Sequence, residues 1–220
     1  MIGMPTLLHL DSSAGGTASR SRRITAAFAE AFLASAPGNR VVHRDLHADP
    51  LPHLPDESLH WAPALRGAGA DPGPDAERLQ AGLISELLAA DVLLAGVPLY
   101  NYSLPSALKA WLDHVHVPGL TAPSPVSGAP LAGRPAVLIA TRGGDYGPGT
   151  VNEGRDHATP VLELILGTEM GMSVRVVTAG LTLAGTVPAL AAQRAGAERE
   201  LADALREARS LGASLGCPGA

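Results

Sequence analysis

Cysteine is nearly absent. Cys217 alone among 220 residues excludes an internal disulfide framework and any cysteine-based zinc or iron–sulfur site. Aromatic residues make up only 3%, and Ala, Leu and Val take their place as core formers. Charge is sparse too: 16 Lys and Arg against 21 Asp and Glu leave a net charge of −5, which argues against sequence-independent binding to nucleic acid. No apolar run approaches the roughly 18 to 20 residues that span a bilayer, and Met1-Ile2-Gly3-Met4-Pro5 lacks the basic segment and apolar stretch of a signal peptide. A reduced, soluble, cytoplasmic protein without membrane or nucleic-acid partners is the expectation. What the chain has is 46% hydrophobic residues, which excludes intrinsic disorder. Its length lets one core bury well over half of the unfolded surface.

The apolar residues are ordered as alternating strands and helices. Thr6–Leu10 reads as a strand, followed by a Ser/Gly-rich turn over Ser12–Ser21. Ile24, Ala27, Phe28, Ala31 and Phe32 then recur at three- and four-residue spacing, one face of a helix, which Pro37-Gly38-Asn39 stops. Val41-Val42 suggests a second, shorter strand. From Asp45 to Pro74 the chain is rich in Pro, Gly and His, a surface excursion with at most short helical turns, long enough to cover something. A helix through Leu79, Leu83, Ile84, Leu87 and Leu88 leads into the strand Asp91–Val97. Another carries Leu104, Leu108, Trp111, Leu112 and Val115 on one face. After a Pro/Ser/Gly loop (Pro118–Gly133) come the strand Pro135–Ala140, a helix with Val161, Leu162, Ile165, Leu166 and Met170, and the strand Ser173–Thr178. A final helix from about Pro188 turns Leu201, Leu205, Ala208, Leu211 and Leu215 inward. Near-continuous apolar strands alternating with helices specify a parallel sheet covered on both faces. Five strands with five helices suit a flavodoxin-like doubly wound sheet of order 2-1-3-4-5. No repeat or linker divides residues 1–220, so a single domain is expected.

In such sheets ligands bind beyond the carboxyl ends of the strands, which singles out three loops. Asp11–Ser21 lacks the glycine fingerprints of dinucleotide folds and P-loops, but offers Ser13, Thr17, Ser19 and Ser21 at a helix N-terminus. Free amides and the helix dipole favour a dianion there, whereas an ordinary N-cap needs one hydroxyl. Val97–Pro105 places Tyr100, Asn101 and Tyr102 directly after a buried strand, a set suited to stacking on and hydrogen bonding to a planar ring. The plainer alternative is a packed turn in which Ser103 caps the next helix and Pro105 lies in its first turn. In Thr141–Gly147, Gly143 and Gly144 let backbone amides approach a ligand edge, and Arg142 can neutralise developing negative charge.

These segments carry a resemblance. Ser12-Ser13 with Ser19-Arg20-Ser21, then Pro98-Leu99-Tyr100-Asn101-Tyr102, then Leu108–Asp113, then Thr141-Arg142-Gly143-Gly144 stand in the order and spacing of the FMN-dependent NADH:quinone oxidoreductases and NADH-azoreductases. The chain resembles that family from its first strand to its last helix. The resemblance implies tightly but non-covalently bound FMN, held at its phosphate and ribityl end by Ser13, Ser19, Arg20 and Ser21. Leu99, Tyr100, Asn101 and Tyr102 would border the isoalloxazine, and Thr141, Arg142, Gly143 and Gly144 its pyrimidine edge. It further implies NADH as electron donor, a quinone or azo acceptor served in a ping-pong cycle, no dedicated catalytic residue, and a homodimer with active sites at the interface. Trp111 and its histidine neighbours are expected to be exposed near that interface. The family often has histidine two residues after the Gly-Gly pair. This chain has Tyr146, a weaker acid at its reference pKa of about 10. The alternative reading is a flavodoxin-type electron carrier without substrate turnover, although such carriers are usually more acidic than −5 over 220 residues.

Other signals lack context. Gly212-Ala213-Ser214-Leu215-Gly216 spells a hydrolase nucleophile elbow, but at the end of a helix rather than at a strand-to-helix turn. His114 and His116 cannot easily share one helix face. His43, His47, His53 and His60 read as residues of a solvated excursion, so no metal site is expected. Asn101-Tyr102-Ser103 fits a glycosylation sequon that a chain without export never presents.

Overall fold

The computed structural model describes residues 4–124 and 127–217. Residues 1–3 of the N-terminal segment and 125–126 of the Pro118–Gly133 loop lie outside the described residues. Five strands, β1 (Thr6–Asp11), β2 (Arg40–Asp45), β3 (Val92–Pro98), β4 (Pro135–Thr141) and β5 (Ser173–Ala179), pair in parallel in the order β2-β1-β3-β4-β5. Between and after them run α1 (Arg20–Ser35), α2 (Pro74–Ala89), α3 (Ser106–Val115), α4 (Thr159–Leu162) and α5 (Arg194–Leu215). The expected doubly wound sheet is thus present, each strand within a few residues of its sequence position.

Strand alternation divides the core in two. Leu7, Leu94, Val137, Ile139 and Val177 pack with Phe28, Phe32, Leu205 and Ala208, so α1 and α5 cover one face. Leu8, Leu10, Leu93, Ala95 and Leu138 pack with Leu83, Leu108, Trp111, Leu162 and Met170, so α2, α3 and α4 cover the other. Burying each of the larger aliphatic or phenylalanine side chains contributes about 1.5–3 kcal/mol. β2, at the sheet edge, exposes Arg40 and His43 and pairs the half-buried Arg44 with Glu86, polar side chains that discourage edge-to-edge pairing.

Several details differ from the sequence reading. Leu104 precedes α3, which begins at Ser106 with Pro105 as its N-cap and no side-chain cap. Trp111 is 1% exposed and His114 fully buried, its Nε2 3.0 Å from the Pro52 carbonyl. Neither presents a surface: Trp111 packs in the core cluster that includes Leu83 and Leu87 of α2. α4 is one α-turn that continues as a π-helix over Glu163–Glu169. Leu162, Leu166 and Met170 all lie on the core, and the Met170 amide donates to the Ile165 carbonyl five residues back at 2.9 Å, the wider π-type bond. The final helix opens with 3₁₀ turns over Pro188–Gln193 before α5. His43 belongs to β2, opposite His9 of β1, not to the excursion. The excursion itself makes two 3₁₀ turns, Glu57–His60 and Pro63–Leu65. It roofs α2 and α3, with Gln80 Nε2 donating to the carbonyls of Leu59 and His114 at 2.7 and 3.1 Å.

The Gly212–Gly216 motif has a packing role. α5 crosses α1 so closely that a Cβ on Gly212 would run into the Phe28 carbonyl oxygen, and one on Gly216 would stand 2.6 Å from that of Phe32. Asn39 Nδ2 ties the two helix ends together, donating to the carbonyls of Phe32 and Gly216, both at 2.8 Å. Gly82, in α2, has open space at its Cβ position. Gly82→Ala therefore gains about 1 kcal/mol of helix propensity. Gly212→Ala loses more than that gain to overpacking that costs about 1–3 kcal/mol. Thermal denaturation is expected to show opposite shifts in Tm for the two variants; a rise for both would refute the close-crossing role.

Candidate functional site

The three loops singled out by the doubly wound rule leave one rim of the sheet. β4 ends at Thr141, whose carbonyl accepts from Leu99 N–H at 2.8 Å, which joins the loops after β3 and β4. Tyr100 joins the loops after β1 and β3: its hydroxyl lies 3.2 Å from Ser13 Oγ and accepts from Ala14 N–H at 3.1 Å. Ser13 Oγ in turn accepts from Gly15 N–H at 3.1 Å.

Leu99, Asn101, Tyr102, Gly143 and Gly144 line a cavity of about 540 Å³ on this rim. Tyr146, Val151, Asn152, Leu183, Leu190 and Gln193 are among its other lining residues. Ser13, Ser19, Arg20, Ser21, Tyr100, Thr141 and Arg142 do not line it. The first four form a separate hydroxyl-rich corner beyond β1, connected through Tyr100. Asn152 and the 182–193 segment were not found from sequence; the latter leaves the carboxyl end of β5, so the rim rule that found the other loops applies to it too.

The glycine pair is shaped for an incoming edge. The carbonyls of Gly143 and Gly144 accept from Leu183 and Leu181 N–H at 3.1 and 3.2 Å, while their own amides make no hydrogen bond among the described residues. An added Cβ would meet Leu183 Cδ1 at 2.8 Å from Gly143 and Asn152 Nδ2 at 3.1 Å from Gly144. Arg142 is committed elsewhere than its position implied. Its guanidinium pairs with Asp156 at 2.6 Å, and its buried Nε has no hydrogen-bond partner among the described residues. Burial pushes the Asp156 carboxyl up, but the amide and hydroxyl of Thr159, the Ala158 amide and Arg142 together hold it below the usual carboxylate range. Tyr146, 6.0 Å from the Arg142 guanidinium, is raised by burial and by Tyr102 and Asp156.

The turn after β3 is strained. Asn101 and Tyr102 have φ of 48° and 67°, and Tyr100 and Ser103 exchange both backbone hydrogen bonds at 2.9 Å, a type I′ turn at whose two centre positions glycine and asparagine are favoured. Ser103 closes this turn and does not cap α3. Asn tolerates the left-handed region; a tyrosine held there costs about 1–2 kcal/mol, and backbone strain of this kind clusters at functional sites.

In the first loop, Ser19 is the N-cap of α1, its Oγ accepting from Arg22 N–H at 3.3 Å and lying 3.0 Å from Ser21 Oγ. The amides of Arg20 and Ser21 remain unpaired among the described residues, as a helix N-terminus leaves them. Arg20 reaches away, donating to the Ala197 carbonyl at 3.1 Å. The arginine that braces the loop is Arg22, which donates to both carboxylate oxygens of Asp45 at 2.6 and 2.7 Å and to the Ser13 carbonyl at 2.8 Å. Sequence reading missed it, though its place three residues after the N-cap puts it on the turn that faces back toward the strand end.

Tyr102→Gly is expected to leave Tm unchanged or higher, since relief of strain offsets the added freedom of the unfolded chain; a fall of several degrees would show that the ring, not the backbone, dominates there. The Arg22 hydrogen bonds, with the amides of Ala48 and His47, hold the Asp45 carboxyl far below its ordinary value. A depressed folded pKa stabilises above the unfolded value of about 3.9 and loses that contribution as pH falls. Stability measured from pH 6 to pH 2 is therefore expected to fall less steeply in Asp45→Asn than in the unmodified chain; parallel curves would contradict the assignment.

The flavodoxin-like fold family matches residues 5–208. An FMN-dependent NADH:quinone oxidoreductase of Kineococcus radiotolerans is 50% identical over 212 residues, 96% of this chain and 100% of that protein. One from Nocardia farcinica is 43% identical, covering 95% and 98%. Among solved structures, an FMN-dependent NADH-azoreductase of Bacillus anthracis in complex with FMN aligns with a TM-score of 0.76 at 18% identity, over 96% of this chain and 99% of the other.

Proposed function

This chain belongs to the flavodoxin-like fold family and, within it, to the FMN-dependent NADH:quinone oxidoreductases, and from that membership we propose that it binds FMN on the carboxyl rim of its sheet and passes two electrons from NADH to quinones and azo compounds. The observation that carries this reading is the pair of unspent amides at Gly143 and Gly144, set in a cavity of about 540 Å³ beside the strained Asn101-Tyr102 turn. The residues fit the cofactor: free helix N-terminal amides with Ser13, Ser19 and Ser21 for a phosphorylated tail, and glycine amides for a polar ring edge.

When bound, FMN supplies the redox chemistry, accepting a hydride from NADH and yielding two electrons to the acceptor in separate half-reactions. The chain's own residues position and polarise. Ser13, Ser19 and Ser21, with the first-turn amides of α1, would hold the phosphate and ribityl end; Arg20 would add charge only by leaving Ala197. Leu99, Tyr100, Asn101 and Tyr102 would border the ring. Gly143 and Gly144 amides, with Thr141 and the unused Nε proton of Arg142, would stabilise negative charge at the pyrimidine edge. Because Asp156 neutralises the Arg142 guanidinium, the amides carry more of that task than a free arginine would leave them. Tyr146 stays protonated at neutral pH and offers a hydroxyl donor at the cavity wall.

The outer wall is open: Val151 is 83% and Leu183 46% exposed. That supports a homodimer in which a second copy covers the cavity, even though Trp111 plays no part in it. The mild net charge favours turnover of small acceptors over a carrier role. A cytoplasmic location accords with the single cysteine.

Replacing Asn101 with Ala is expected to reduce FMN retained on purification severalfold, and replacing Ser103 with Ala to reduce it little, since Ser103 acts through its backbone. Absorbance in the flavin bands per mole of protein measures both. Equal flavin content in the two variants would remove the turn from the site.

A further inference from the structure

Three metal-ligating side chains stand together behind the first loop, on the sheet face that packs against α1. His9 and Asp11 lie two residues apart on β1 and so point the same way. His43 of β2 is registered opposite His9. His9 Nε2 and His43 Nε2 lie 3.4 and 3.1 Å from Asp11 Oδ2, and all three ligand atoms fall within 4.8 Å of one another. With metal–ligand bonds of about 2.0–2.2 Å, a tetrahedral site has ligand–ligand edges of roughly 3.3–3.6 Å, within a few tenths of an ångström of the two measured here.

The cluster holds an unspent donor atom. His9 is 6% exposed, and its buried Nε2 makes no well-aligned hydrogen bond among the described residues: it stands 3.4 Å from Asp11 Oδ2, an oxygen already hydrogen-bonded to His43 Nε2. Asp11 is already oriented by a second partner: Thr25 Oγ1 donates to Oδ1 at 2.9 Å, which leaves Oδ2 for the two imidazoles. Such outer-shell bonds are how ligating carboxylates are fixed in metal sites. The His43 side chain is 46% exposed, so a cation can reach the cluster from solvent. One positive group adjoins, Arg22 Nη1 at 3.7 Å from Asp11 Oδ2, but its charge is matched by the two-pronged pair with Asp45. Around a bound cation the Asp11 and Asp45 carboxylates outnumber the single guanidinium.

We propose that His9, Asp11 and His43 form a binding site for a divalent late transition-metal ion, separate from the cavity lined by Gly143 and Gly144. Two imidazoles and one carboxylate suit zinc, nickel or cobalt rather than magnesium or calcium. The ion ties edge strand β2 to β1 directly behind the Ser13 loop. The site does not depend on the flavin, and its test reads metal, not turnover.

Protein as purified is stripped with a chelator, exchanged into buffer and titrated calorimetrically with Zn²⁺. One equivalent is expected to bind at micromolar or lower Kd. At a hundredfold excess over Kd, Tm should rise by roughly 5 to 10 °C. His43→Ala and His9→Gln should each weaken binding tenfold or more, and His47→Ala, on the neighbouring turn, should leave it unchanged. If His9→Gln does not fold by circular dichroism, the half-exposed His43→Ala decides alone. No uptake at tens of micromolar Zn²⁺, uptake indifferent to His43→Ala, or equal loss in His47→Ala would each overturn the proposal.

Discussion

A parallel sheet that reverses its winding between β1 and β3 ends in a row of backbone groups with no strand left to pair with, and the molecule is built around that edge. Some of those groups are satisfied internally. The carbonyls of Thr141, Gly143 and Gly144 are taken by Leu99, Leu183 and Leu181. The amides of Gly143 and Gly144 and those opening α1 are not, and an edge that keeps its acceptors occupied while leaving its donors free selects for anions and electron-rich ring edges. The strained Asn101-Tyr102 turn and the open cavity wall flank this edge.

Arg22 couples this edge to the sheet behind it. It holds Ser13 by the carbonyl, Asp45 by both carboxylate oxygens and stands beside Asp11. The loop after β1 is thereby anchored to β2 as well as to its own strand, and the loop's hydroxyls are presented by a scaffold with few internal freedoms. Tyr100 performs the complementary task from the β3 side, and its contact with Ser13 joins the hydroxyl-rich loop after β1 to the loop after β3.

Much of this could be read from residue order. Strand alternation, the stops at Pro37-Gly38 and Gly143-Gly144, and the rim rule located the sheet and three of its loops, because burial on both faces writes long apolar runs into a sequence. What stayed hidden has physical causes. Arg20 and Arg22 look alike as letters, and helix phase alone decides which one faces the loop. Trp111 sits where an interface was expected, but it shares the inward face of α3 with Leu108, Leu112 and Val115 and is buried with them. The closeness of α5 to α1 at Gly212 leaves only a glycine as its trace, which coincided with an unrelated enzymatic motif. His9, Asp11 and His43 come from two strands 32 residues apart in sequence, and parallel register, not spacing, brings them together.

The central claim is that the free donors on this rim hold a flavin able to exchange two electrons with NADH. Anaerobic titration of the purified protein with NADH, followed through the flavin absorbance bands, tests it most directly. The account predicts yellow protein whose absorbance is fully bleached by one NADH per flavin and restored on adding a quinone. Colourless protein that takes up no added FMN, or bound flavin that NADH leaves oxidised, would contradict it.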